Sequence, residues 1–219
     1  MCTSQSIPLY SPQQARLPTA LALGSFDGLH AGHRSVISAI TNHQTGIPTV
    51  VTFWPHPREV LYKESRLRID LPNEKTYLLG TLGIKQLILI PFTKSLAELS
   101  PKDFLEKMVL DTMQAKKIAV GENFRFGKNR EGDTSLLKKI AEKANVEVSI
   151  LPIIEDSHGR MSSSRIRLAL SEGDMKTAKN LMDRPYCFEG EIVKGKGLGA
   201  SIGWPTANIQ IEGRKLLPK

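Results

Sequence analysis

Short apolar runs alternate with amphipathic segments along most of the chain, and this alternation constrains the fold more than any other feature. The runs are rich in Val, Ile and Leu and are bounded by Gly, Pro or polar residues, as buried strands are. The predicted strands are residues 19–26, 47–53, 84–92, 117–121 and 146–151, and the intervening predicted helices are 33–43, 73–82, 101–113 and 134–144. Such repetition predicts an α/β fold with a doubly wound parallel sheet, whose ligands bind beyond the carboxyl ends of the strands.

The pattern changes after residue 185. Two more helices are predicted at 163–171 and 175–182, and then strand-like alternation over 186–193 and 207–211 flanks a glycine-rich loop. We therefore predict one domain over residues 1–185 and the beginning of a second over residues 186–219.

Composition and charge limit the kind of protein. The 219 residues are 40% hydrophobic, which is typical of globular chains, and only Cys2 and Cys187 are present, so no disulfide framework is expected. No apolar run approaches the length of a membrane span, and no secretory signal is visible, so a cytoplasmic location is expected. A net charge of +8 favours anionic partners, either nucleic acid or phosphorylated small molecules.

The loop after the first predicted strand carries the most specific pattern. Gly28 permits a sharp turn, and Gly32 lets the backbone approach a ligand closely. The amides that open the following helix favour an anion. His30 and His33 lie on the same side of that helix, where they can donate hydrogen bonds to phosphate oxygens. A metal-binding pair without an obvious third ligand and a purely structural role are the two alternatives.

Three further loops add an aromatic surface and positive charge. Pro55 and Pro57 make a rigid loop beside aromatic residues on which a ring system could stack. Residues 121–133 interleave glycines, aromatics and cations, which suits a ligand with a flat ring and phosphates. Residues 160–167 place three serines and three arginines at a helix start, more than a helix cap needs, and this predicts a triphosphate site. Structural loops and simple capping are the alternatives.

These four loops together resemble the adenylyltransferase module of bacterial bifunctional riboflavin kinase/FAD synthetases, across about residues 18–183. The first loop is similar to the signature of the nucleotidyltransferase superfamily, whose members have a Rossmann-like fold and transfer a nucleotidyl group by in-line attack on an α-phosphate. Met161 and Ser164 stand where the family pattern usually has Ile and Thr. The resemblance implies transfer of AMP from ATP to FMN with Mg²⁺, giving FAD and pyrophosphate.

The resemblance also implies roles for individual residues. His30 and His33 would stabilise the pentacovalent α-phosphorus, Asn123 would bind nucleotide and metal, and Arg160 would act with them in catalysis. The implied ATP-binding residues are Gly24, Phe26, Asp27, Gly28, His30, Gly32, His33, Asn123, Arg160, Ser163 and Ser164, with Arg160 and the serines on the β and γ phosphates. The implied flavin-binding residues are Pro55, His56, Pro57 and Phe126. No covalent nucleophile is required, because the FMN phosphate itself attacks.

The end of the chain resembles the beginning of the family's riboflavin kinase module, a small β-barrel. The glycines and a Pro-Thr-Ala-Asn motif bind ATP phosphates and Mg²⁺ there; the matching residues are Gly195, Gly197, Gly199, Thr206 and Asn208. About 35 residues rarely bury a core of their own. We therefore expect a truncated β-barrel segment, partly disordered or packed against the first module, without kinase activity.

Other functions are also compatible with the sequence. The acceptor could be another phosphorylated molecule, such as pantetheine phosphate or a pyridine mononucleotide. The positive charge could indicate a nucleic-acid-binding protein, although the cations cluster in loops predicted to surround one pocket. The chain could also be a non-catalytic remnant that binds nucleotide or flavin. We expect ATP and FMN as small-molecule partners, no nucleic acid or membrane partner, and a monomer or weak homo-oligomer.

Overall fold

A six-stranded parallel sheet forms the centre of the protein, seen in a computed structural model that describes residues 6–41, 45–65, 67–195 and 198–219. The strands are β1 Leu9–Tyr10, β2 Thr19–Leu23, β3 Ile47–Trp54, β4 Gln86–Pro91, β5 Ala115–Gly121 and β6 Glu147–Leu151. Their spatial order is β1-β4-β3-β2-β5-β6, with every neighbouring pair parallel. The predicted doubly wound α/β fold is confirmed, and the order of strands reverses between β2 and β5.

The central strand β2 is buried on both faces, because its side chains enter two different cores. Leu21 and Leu23 pack into one apolar cluster, and Ala20 and Ala22 pack into another. This follows from the two-residue period of a strand. The sheet is therefore covered by helices on both sides, and the loops at its ends are left to form a site.

The helices agree with the predictions for the longer segments and add several short ones. They are α1 Ala31–Thr41, α2 Pro57–Tyr62, α3 Pro72–Thr81, α4 Lys94–Ala97, α5 Pro101–Asp103, α6 Thr134–Lys143, α7 Ser163–Glu172, α8 Met175–Met182 and α9 Leu198–Ser201. The segment predicted as one helix over 101–113 begins after the N-cap Ser100 and widens into a π-helix over Phe104–Thr112. In the described part of the chain, no helix is long and apolar enough to cross a membrane.

A buried carboxylate holds the turn that precedes α1. Asp27 accepts hydrogen bonds from the amides of Ile69 and Asp70, at 3.1 and 3.0 Å, and from Arg167 Nη2 at 2.6 Å. Asp70 in turn accepts from the amide of Gly28 at 2.8 Å. Burial acts to raise the pKa of Asp27, but the cations around it, including Arg167, hold that pKa below its ordinary value.

The end of the chain packs against the α/β body, one of the two arrangements expected for it. Strands β9 Glu191–Val193 and β10 Asn208–Gln210 form an antiparallel pair and are shorter than the predicted runs. The segment 212–219 then pairs with Arg68, since Arg68 N donates to Arg214 O at 3.0 Å and Leu216 N donates to Arg68 O at 2.8 Å. These contacts place the last residues beside the loop that carries Asp70.

We predict that Arg167→Ala destabilises the fold by about 3 kcal/mol, because it leaves a buried carboxylate without its closest cation. Arg165→Ala is the matched control from the same helix: Arg165 pairs with the more exposed Asp156, and its loss should cost about 0.5–1 kcal/mol. Urea unfolding of both variants measures the difference. Equal destabilisation would contradict the dependence of the fold on Asp27.

Candidate active site

One cleft of about 890 Å³ lies at the carboxyl ends of the strands, where their order reverses. Its walls come from the loops after β2, β3 and β5, the residues that follow β6, and α2. Four loops that are far apart in the sequence therefore meet at one place. A volume of this size accommodates a ligand larger than a single nucleotide base.

Two histidines form the base of the cleft beside the beginning of α1. The rings of His30 and His33 are stacked, with centroids 3.8 Å apart, and the Phe26 ring lies 5.2 Å from His33. His30 is only 7% exposed. The Nδ1 atoms of both histidines are buried and have no hydrogen-bond partner among the residues that the structure describes. Buried polar atoms that lack a hydrogen-bond partner are unusual in residues whose role is purely structural.

Glycines make this packing possible at two positions. Gly28 has a φ of +85°, and a Cβ there would lie 2.7 Å from Cδ1 of Ile166. A Cβ on Gly32 would come within 3.2 Å of the His30 ring. The first glycine provides a turn that L side chains rarely adopt, and the second lets the imidazole lie against the first turn of α1.

The surroundings of the histidine pair keep both rings neutral near pH 7. Burial, with Arg160 and Arg34 nearby, lowers the pKa of His30 from 6.5 to about 4. Burial and the neighbouring His30 lower the pKa of His33 well below its ordinary value. Each neutral imidazole has one N–H donor and one acceptor nitrogen. An anion bound nearby would favour protonation and raise both pKa values.

Asn123 and Arg160 lie together on the wall of the same cleft. Asn123 follows β5, and Arg160 ends the small hairpin of β7 Glu155–Asp156 and β8 Gly159–Arg160. With its amide oxygen directed at the guanidinium, Asn123 accepts from Arg160 Nη1 at 2.7 Å. The pair brings a cation close enough to the histidines to lower the pKa of each.

Aromatic rings form another part of the wall. Phe124 and Phe126 are stacked with centroids 5.4 Å apart, and Phe104 lies 6.1 Å behind Phe126. His56 and Pro57 at the beginning of α2 also line the cleft. Phe126 is buried and Phe124 is partly exposed, and both line the cleft.

Several residues singled out from the sequence lie outside the lining of the cleft. Asp27 is fully buried, and Ser163 Oγ donates to the Asp27 carbonyl at 2.7 Å. Ser164 is exposed. The candidate residues outside the cleft lining are Asp27, Gly28, Pro55, Ser163 and Ser164. Of the three arginines at 160–167, Arg165 pairs with Asp156 and Arg167 with Asp27, which leaves Arg160 at the cleft.

The structure also shows cations at the cleft that were not named individually as site residues from the sequence. Arg58, Arg125 and Arg130 line the cleft. Lys75 is buried beneath the first loop, where Nζ donates to the Ser25 carbonyl at 3.1 Å, and burial lowers its pKa to about 8. The signal for α2 was present as Pro57 followed by an acidic third residue, a pattern that begins helices.

The motif residues near the end of the chain lie close to one another. The Gly195 backbone approaches the Asn208 side chain, and Gly199 approaches Thr206. Thr206 and Asn208 are exposed. Gly197, also expected in this group, lies outside the described residues. None of the described members of this group lines the cleft.

Two family models and several curated proteins match this chain. A family model described as FAD synthetase matches residues 12–165, and one described as riboflavin kinase matches residues 182–219. A bifunctional riboflavin kinase/FMN adenylyltransferase from Buchnera aphidicola subsp. Acyrthosiphon pisum is 33% identical over 91% of this chain and 65% of that protein. The protein of the same name from Listeria monocytogenes serovar 1/2a is 32% identical over 97% of this chain and 68% of that protein.

The chain therefore spans about two thirds of the length of these curated relatives. A solved structure supports the fold. A crystal structure described as that of a macrolide-efflux protein from Streptococcus pneumoniae superposes with a TM-score of 0.81 at 29% identity, over 97% of this chain and 71% of that one.

We predict that the free energy of unfolding falls as the pH is lowered from about 6.5 toward 4. His30 binds its proton near 6.5 when unfolded and near 4 when folded, so between these values the unfolded state holds more protons and stability rises with pH. His30→Gln should make the dependence shallower in urea unfolding across this range. His158→Gln, in the exposed turn between β7 and β8, controls for the loss of a histidine as such. Identical slopes for His30→Gln and the unmodified chain would contradict the burial of a neutral His30.

Proposed function

Because the chain belongs to the FAD synthetase family, we propose that it transfers AMP from ATP to FMN. An oxygen of the FMN phosphate attacks the α-phosphorus of ATP, the bond from that phosphorus to the bridging oxygen breaks, and pyrophosphate leaves as FAD forms. The observation that carries the proposal is the single cleft that contains the stacked histidines, the Asn123–Arg160 pair and the aromatic wall. It combines donors for phosphate oxygens with a surface for a flat ring.

Catalysis would rest on positioning and charge stabilisation. His30 and His33 are held by packing and are neutral, so each can donate one N–H to the α-phosphate. Their hydrogen bonds strengthen as negative charge builds on the phosphate oxygens in the transition state. Arg160 adds a full positive charge beside them. In this proposal Asp27, Gly28 and Ser163 act indirectly, by fixing the turn on which the histidines depend.

The two substrates would occupy different parts of the cleft. The nucleotide phosphates lie beside Gly24, Gly32 and the histidine pair, whereas the flavin ring lies against the aromatic wall near His56 and Pro57. Part of the positive charge of the chain then serves to bind the substrates. Of its cations, Arg58, Arg125, Arg130 and Arg160 line the cleft, where they attract substrates that carry phosphates.

Mg²⁺ fits this site as an ion that enters with ATP. Among the described residues, no group of three or more His, Cys, Asp or Glu could hold a metal. Mg²⁺ in nucleotide sites keeps several waters and is bound mainly by phosphates, with few protein ligands, so such a sparse donor set is compatible with it. Asn123 would supply its amide oxygen as a ligand, the oxygen that faces Arg160 in this structure. When bound, Mg²⁺ would neutralise phosphate charge.

We further propose a boundary at residue 185, with the adenylyltransferase domain over 1–185 and residues related to riboflavin kinase over 186–219. We propose that residues 186–219 do not by themselves form a riboflavin kinase site. The described strands β9 and β10 form an open pair, and both Asn208 on β10 and the preceding Thr206 are exposed. A site without enclosing walls gives phosphoryl transfer little protection from water.

We predict that His30→Ala and His33→Ala each lower turnover about 100-fold or more, because each removes a donor to the transition state. ATP binding, measured by calorimetry, should survive in both variants, since Arg160 and the helix amides remain. His158→Ala is the matched control and should keep full activity. Unmodified turnover in both site variants would contradict the assignment.

The direct experiment supplies FMN, ATP and Mg²⁺ to the purified chain and follows FAD and pyrophosphate. FAD formation is expected, and a folded chain that forms no FAD would overturn the proposed activity. A parallel reaction with riboflavin and ATP tests the kinase. We expect no FMN, and its appearance would overturn the proposal for residues 186–219.

A further inference from the structure

The carboxylate of Glu59 joins three segments of the chain that are far apart in the sequence. Glu59 Oε1 accepts from the amide of His56 at 3.1 Å and from Arg68 Nε at 3.0 Å. Glu59 Oε2 accepts from Arg214 Nε at 3.1 Å. The Glu59 side chain is only 9% exposed. Charge-assisted hydrogen bonds of this kind are stronger than neutral ones and fix orientation.

The two arginines also lie over the ring of Trp54, the last residue of β3. The guanidinium carbon of Arg68 lies 4.7 Å from the ring centroid, and that of Arg214 lies 5.4 Å from it. Both distances are within the range of a cation–π interaction. Arg214 therefore contacts both the last residue of β3 and the first turn of α2, and these flank the loop between them.

The backbone near Arg214 is held independently of its side chain. Lys215 is buried, and its ammonium donates to the Ile69 carbonyl at 2.6 Å and to Glu74 at 2.5 Å. The backbone pairing of Arg68 with residues 214 and 216 adds to this anchor. A substitution that shortens or neutralises the Arg214 side chain is thus expected to leave segment 212–219 in place.

We propose that Arg214 is a positioning residue for the flavin end of the cleft. By holding Glu59, it fixes α2 and its capping residue His56, whose Nδ1 accepts from Arg58 N at 3.1 Å. His56, Arg58 and Tyr62 line the cleft on this side. A residue from the part of the chain that matches riboflavin kinase thereby tunes the affinity of the adenylyltransferase cleft for its acceptor. The identity of that acceptor, FMN, rests on the proposed function.

The test compares Arg214→Met with the control Glu212→Gln in the full 219-residue chain. Glu212 pairs with Arg214 at the surface but does not contact Glu59 through any interaction described for it. Arg214→Met should raise the Kd for FMN about three- to fivefold, in line with the loss of one partly exposed ion pair. The Kd for ATP should remain unchanged, and Arg214→Lys should restore most of the FMN affinity.

Two readouts do not depend on catalysis or on FMN. Amide hydrogen exchange of residues 56–62 should accelerate in Arg214→Met but not in Glu212→Gln, while the rest of the chain keeps its protection. In a Trp204→Phe background, the emission of Trp54 should change when the nearby guanidinium is removed. Unchanged exchange and emission, or equal weakening of FMN and ATP binding, would overturn the positioning role.

An error in the proposed function can be distinguished from an error in the role of Arg214. If the unmodified chain binds no FMN, the assignment of the acceptor is overturned. The exchange of residues 56–62 then decides alone whether Arg214 positions α2: faster exchange supports it, and unchanged exchange refutes it.

Discussion

The buried carboxylate of Asp27 is the interaction on which the site depends. A charge in the interior is costly unless it is paired and hydrogen-bonded, and Asp27 meets both conditions through Arg167 and the amides of Ile69 and Asp70. Because Asp70 also accepts from Gly28, the turn before α1 is tied to the facing loop at two points. The histidine pair at the beginning of α1 takes its position from this turn.

The electrostatics of the cleft follow first from the burial of titratable groups and then from the cations around them. Burial and Arg160 favour neutral His30, and burial brings the pKa of Lys75 to about 8. Such a site is unfavourable for further positive charge and favourable for an anion. Phosphates arriving in the cleft would relieve this repulsion and raise the histidine pKa values. The same arrangement that lowers stability in acid therefore prepares the protein for its proposed substrates.

The central strands and the loops around the cleft were predictable because their signals are local. The five predicted strands are all present. A run of apolar residues predicts a buried segment without any knowledge of the segments that pack against it. β1 was missed because it has two residues and is completed by hydrogen bonds to β4. α2 was missed because it has only six residues, although Pro57 and Glu59 give a local signal for its beginning. The contacts of Glu59 to Arg68 and Arg214 join distant segments and could not be predicted from a local pattern.

The sequence by itself determined the parallel sheet, the order of the loops at its carboxyl ends and the residue types available there. Only the tertiary structure decided which of them face the cleft. Arg160 and Arg167 carry the same group, yet one lines the cleft and the other neutralises buried Asp27. Ser163 likewise turns toward the Asp27 carbonyl. Periodicity and residue type are properties of a local stretch, whereas the partner of a charge depends on desolvation and on neighbours brought together by folding.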